Sequence, residues 1–95
     1  MNYLQLATQS SMALRDWREE MGFSQRKAAD ALGLALKNYQ YLEWGENRST
    51  KGDPRPVVMS KRVALACAAI KAGLAPIEGW TNEMANTRKA ISMEK

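Results

Sequence analysis

Gly33 is the residue that most limits how this chain can fold. It sits between two apolar repeats of helical period that lie too close together for anything but a tight turn. Before it, Ala28, Ala29 and Leu32 share one face of a segment that Ser24 can cap. After it, only Leu34 and Ala35 precede Leu36, Tyr39 and Leu42, where helical spacing resumes with Leu36 nearer the edge, until Gly45 closes the second segment. Glycine ends a helix readily because it takes positive φ without a Cβ clash. The spacing predicts two short helices joined by a Gly-containing turn, within residues 24–45. Ala29 lies where they would cross, and its small side chain lets them approach.

Two such helices form a helix-turn-helix, the unit that sets its second helix into the major groove of DNA. With Tyr39 and Leu42 facing in, Lys37, Asn38, Gln40 and Tyr41 face out. Lys suits guanine O6 and N7 or a phosphate, and Asn and Gln can pair bidentately with adenine, so these four are the expected base contacts. Leu36 either touches a thymine methyl or stays at the core edge. Trp44 either packs under the following loop or joins a subunit contact.

The run L-R-D-W-R-E-E-M-G-F-S-Q-R-K-A-A-D-A-L-G from Leu14 to Gly33, followed by Y-Q-Y-L-E-W-G from Tyr39 to Gly45, resembles the Cro and lambda-repressor-like (Xre-type) helix-turn-helix domain. The resemblance covers about residues 11–74. Gln25, Ala29, Gly33, Tyr39, Leu42, Glu43 and Gly45 fall at family positions. It implies that Gln25 touches a DNA phosphate and braces the recognition helix, about residues 36–44, and that Arg18 pairs with Glu43 to tie the first helix to the third. Arg26 and Lys27, next to Gln25 on the outer side of its helix, are expected at phosphates as well. Two features depart from the family. Ala35 stands where a capping Ser or Thr is usual, a loss on the order of 1 kcal/mol, and the loop after Gly45 is longer. The stretch from Arg55 to Cys67 also resembles small regulators found beside anti-CRISPR genes.

Ninety-five residues suit one domain with a modest core. The single cysteine, Cys67, excludes an intrachain disulfide and reads as a buried small hydrophobe in a cytoplasmic protein. Histidine is absent, which removes the commonest general base and the commonest metal ligand. No nucleophile with a base, carboxylate pair or phosphate-cradling loop is visible. The expectation is therefore no enzyme, no cofactor, no metal and no membrane span. The net charge of +4 is unevenly placed: residues 46–62 carry five basic side chains against two acidic, whereas residues 1–45 carry five of each. A basic patch just after a groove-reading helix is the footprint of a phosphate-binding surface, and Arg48, Lys51 and Arg55 are its expected contacts. The alternative is a tolerated loop insertion.

Residues 1–10 read as a lead-in of mixed character: a short helix, an arm or a frayed end. Ser10 or Ser11 offers the cap of a first helix that carries Leu14, Trp17 and Met21 on one face and ends at Gly22. Phe23 is placed for a hydrophobic staple. Residues 46–56 read as a loop. From about Met59 to Gly73 a further helix places Val63, Ala66, Cys67, Ile70 and Leu74 at core spacing, with Lys61 and Arg62 at its start. Residues 75–95 form a tail in which Thr81 can cap a last helix bearing Met84, Thr87 or Arg88, and Ile91. The expected whole is an all-α bundle of four or five short helices containing a helix-turn-helix. Its expected role is that of a dimeric repressor, controlling its own promoter at an inverted repeat, with recognition helices about 34 Å apart. The competing expectation is an antitoxin-type module whose C-terminal tail binds a partner protein.

Overall fold

The computed structural model describes residues 2–48, 52 and 54–81, a mostly helical chain with one very short sheet. Helix α1 spans Tyr3–Met21. Its cap is Asn2, whose Oδ1 accepts from the Gln5 backbone N–H at 2.8 Å while Gln5 Oε1 accepts from the Asn2 N–H at 3.0 Å. This reciprocal capping box satisfies two otherwise orphaned donors. The helix therefore starts well before Ser10 and Ser11, the caps expected from sequence, and takes in most of the lead-in. Both serines are mid-helix instead. Ser11 is buried and donates to the Thr8 carbonyl at 2.8 Å, and Ser10 Oγ accepts the Met59 N–H at 3.1 Å.

Helix α2 covers Gln25–Leu32, with Ser24 Oγ accepting from the Lys27 N–H at 3.1 Å. Gly33, at φ 72°, ends it, and the following Leu34 N–H reaches back to the Ala29 carbonyl at 2.8 Å. Only residues 33–35 separate α2 from α3, Leu36–Trp44. Ala35 begins α3 in an extended conformation with no side-chain cap. Two residues of β1, Glu46–Asn47, then pair antiparallel with β2, Arg55–Pro56, where the sequence suggested loop alone. A ladder this short has no room for period-two patterning. Helix α4, Lys61–Lys71, is capped by Ser60, whose Oγ accepts from the Val63 N–H.

Helix α3 packs across α1 and α2, and α4 closes against α2. Leu14, Trp17, Ala28, Ala29, Tyr39 and Cys67 make the core, with Met21, Phe23, Leu32, Leu42, Val63 and Ile70 around it. The Trp17 ring meets Phe23 edge-on at 5.8 Å, and its Nε1 donates to the Cys67 carbonyl at 3.0 Å, fastening α4 to α1. Burial pushes the Cys67 thiol up to about 11, as expected of a sulfur that packs and does not react. Leu74, expected in the core, is 65% exposed. Helix α4 ends before it, and the Gly73 turn carries it off the buried stripe. The apolar face expected of residues 84–91 lies outside the described residues. Among the described residues, no helix is long and apolar enough to cross a membrane.

Gly45, at the end of α3, lies close against α1. A Cβ there would stand 3.1 Å from the Ala7 carbonyl oxygen and 3.3 Å from Ser11 Cβ, whereas one at Gly22 would meet nothing within 4 Å. Both glycines have positive φ, 76° and 72°. Gly22→Ala should therefore cost about 1 kcal/mol for its backbone alone, and Gly45→Ala at least about 1 kcal/mol more for the forced contact. Chemical denaturation of the two variants tests this, and equal losses would refute the close approach. Ala35→Ser should raise stability by about 1 kcal/mol by supplying the missing cap; an unchanged midpoint would mean another group already serves those N–H donors.

Candidate functional site

Glu43 is an acidic residue on the inner face of α3, only 3% exposed. A carboxylate so placed must be met by charge and hydrogen bonds. Arg18 of α1 supplies both, donating Nε to one carboxylate oxygen at 2.9 Å and Nη2 to the other at 2.8 Å. Its Nη1 donates to the Phe23 carbonyl at 3.1 Å, so one guanidinium holds α1, the turn after it and α3 together. Arg15 adds a bond to the Glu43 backbone carbonyl at 3.3 Å. From α2, Gln25 Nε2 donates to Glu43 at 3.3 Å. Burial pushes the Glu43 carboxyl up, but its interactions with Arg18, Tyr39 and Gln25, which favour the ionised form, outweigh that and hold it below its ordinary value of 4.5. The Tyr39 hydroxyl is buried beside this cluster; burial raises its pKa, and its interaction with the Glu43 carboxylate raises it further.

The network continues to the outer side of the domain. Gln25 Oε1 accepts from Gln40 Nε2 at 3.2 Å, linking the start of α2 to α3. Gln25 is half-buried, and both ends of its amide are engaged in this bracing. One amide hydrogen of Gln40 is likewise committed to the fold. Lys37 and Asn38, in the first turn of α3, are exposed. Their backbone N–H groups lie in a turn with no side-chain cap, where partial positive charge gathers. Tyr41 differs from the expected outward set. Its ring leans on Trp44 at 6.0 Å and 54°, and its hydroxyl is buried with no hydrogen-bond partner. Packing of two large rings prevails over exposure of one hydroxyl, so Tyr41 presents ring surface and no polar tip.

Among the other expected contacts, Arg26 is exposed on α2, and Lys27 lies with its ammonium 5.3 Å from the Phe23 ring centre. Arg48 is exposed just after β1 and Arg55 is exposed in β2, while Lys51 lies outside the described residues. The sequence did not reveal two contacts here. Glu46 accepts from Arg48 Nε at 2.8 Å, and the Arg48 guanidinium sits 4.3 Å from the centre of the Trp44 ring. Such a stack is worth about 0.5–1 kcal/mol at an exposed position. Leu36, Lys37, Gln40, Tyr41, Trp44 and Arg48 border one shallow open groove along the outer side of α3. Comparisons of the chain with known protein families, curated proteins and solved structures find no match.

The depressed Glu43 pKa links stability to pH with a defined sign. The folded state binds its proton more weakly than the unfolded chain, so this contribution is complete above about pH 5 and is lost as pH falls through the folded value. Glu43→Gln should be less stable at pH 7, on the order of 3 kcal/mol, because it strands Arg18. The gap should shrink between pH 5 and pH 3. Denaturant midpoints measured across that range give the answer, and parallel curves for the two proteins would remove Glu43 as the source.

Proposed function

We propose that this chain is a small sequence-specific regulator that binds double-stranded DNA through a Cro and lambda-repressor-like helix-turn-helix, with α2 and α3 as its two helices. The observation that carries the reading is the bracing of α3. The Gly33 turn and the Arg18–Glu43–Gln25–Gln40 network fix that helix against α1 and α2, while Lys37 and Asn38 at its start remain exposed for base edges and phosphates. Arg26, Arg48 and Arg55 supply cationic groups around it. Past α4, the exposed side chains of Leu74, Ile77 and Trp80 suit burial against a second copy of the chain. A two-fold dimer would read an inverted repeat, with its recognition helices about 34 Å apart. Repression of its own promoter by occlusion is the simplest regulation for such a protein.

Selection from random duplex DNA tests the reading directly. An inverted repeat should be enriched, and it should bind far more tightly than scrambled DNA at moderate salt. Absence of enrichment, with weak binding that disappears in salt, would refute sequence-specific regulation. On the enriched site, Asn38→Ala should cost about 1–3 kcal/mol and relax discrimination at one base position, whereas Arg55→Ala should weaken all DNA alike and flatten the salt dependence. Equal losses on operator and scrambled DNA for Asn38→Ala would remove it from the base-reading set.

A further inference from the structure

Trp44 has no assigned role in the reading above, yet it holds a cation, Arg48, on the outer side of α3. Its indole has the Tyr41 ring 6.0 Å away and the Arg48 guanidinium 4.3 Å from its own ring centre. Glu46 fixes the same guanidinium from one edge, through Nε at 2.8 Å. An arginine that follows a helix on the surface ordinarily samples many rotamers. Here the indole sets the plane of the group and Glu46 sets its rotation within that plane. Arg48 nonetheless keeps about half its side chain exposed, at 52%.

Two consequences follow for what Arg48 can bind. Because Glu46 engages Nε, the two terminal nitrogens remain as a fork outside that ion pair, and their spacing matches the paired acceptors O6 and N7 of guanine. Glu46 also places a negative charge against the guanidinium, which weakens its pull on a phosphate anion far more than on the neutral, dipolar edge of a base. A phosphate contact needs neither fixed plane nor fixed rotation. Arg48 lines the same groove as Lys37 and Gln40, along the outer side of α3 where base edges would pass.

We infer that Arg48, oriented by Trp44 and Glu46, reads a guanine in the major groove through its terminal nitrogens. Trp44 is then a positioning residue for sequence discrimination. The inference rests on the DNA-binding reading and replaces the phosphate contact expected of Arg48 from sequence.

The enriched operator, remade with 7-deazaguanine at each guanine in turn, tests this, because that change deletes only the N7 acceptor. Full-length wild type, Arg48→Ala, Trp44→Leu and Trp44→Tyr are titrated against each duplex at two salt concentrations. One guanine per half-site should be found whose replacement weakens the wild type about tenfold. Arg48→Ala and Trp44→Leu should be insensitive to that replacement, while Trp44→Tyr, which keeps a ring to stack on, should remain sensitive. Melting temperatures of the three variants establish that each is folded. Arg48→Ala losing equally on operator and scrambled DNA, with a salt slope reduced by about one, would return Arg48 to the phosphates and overturn the inference. Trp44→Leu retaining full guanine sensitivity would overturn the positioning role. If the wild type enriches no sequence, the regulator reading fails first and the inference with it.

Discussion

The buried carboxylate of Glu43 is the constraint on which the arrangement of the helices depends. An ion pair inside a protein contributes little net stability over well-packed apolar residues, since desolvation offsets most of the Coulombic gain. Its effect is on geometry. Moving α3 along its axis or turning it by one residue would leave the carboxylate buried and unpaired, at a cost of several kcal/mol. Arg18 meets it with two parallel bonds, whose planar fork permits little rotation. The pairing of α1 with α3 thus has one low-energy register, and the outer side of α3 faces one direction.

Small residues make that register possible. Ala28 and Ala29 are almost fully buried where α2 meets its neighbours, and Ala7, Ser11 and Gly45 let α1 and α3 approach to contact distance at the far end of α3. Larger side chains at those positions would push the helices apart and lengthen every bond of the Glu43 network. Tyr39 shows the opposite balance. Its ring fills the centre of the core, and its buried hydroxyl lies beside the Glu43 carboxylate.

The parts of the fold that depend on local signals could be read from the sequence. Ser24, Gly33 and Gly45 mark helix ends through single-residue chemistry, so α2, α3 and the turn between them lie where the spacing placed them. The start of α1 was not legible in the same way. Tyr3, Leu4 and Leu6 are exposed, the inward side of those turns is carried by the small Ala7 and Ser11, which make no large apolar stripe, and the Asn2–Gln5 capping box fixes the first turn. Leu74 fits the helical repeat of α4 but falls beyond the turn that ends it. The contact between Arg18 and Glu43 joins residues 25 apart and came from family resemblance, since neither charge announces burial in its own neighbourhood. Trp44 and Arg48 are four residues apart, but Gly45 breaks the helix between them, so the rule that pairs side chains along a helix does not reach this contact.

The outer side of α3 carries two physically different kinds of polar group. Gln40 is tied through Gln25 to Glu43, and Arg48 is tied to Trp44 and Glu46; both are ordered before any ligand arrives. Lys37 is exposed, and immobilising it would cost up to about 2 kcal/mol of rotamer entropy. A group that is already ordered gives up little on binding and rejects a partner whose acceptors are misplaced. A mobile cation attracts any anion within reach and discriminates poorly. On the proposed DNA-binding reading, Gln40 and Arg48 should therefore discriminate at little entropic cost, Asn38 must be ordered on binding to read its base, and the exposed Lys37 should add attraction that salt screens.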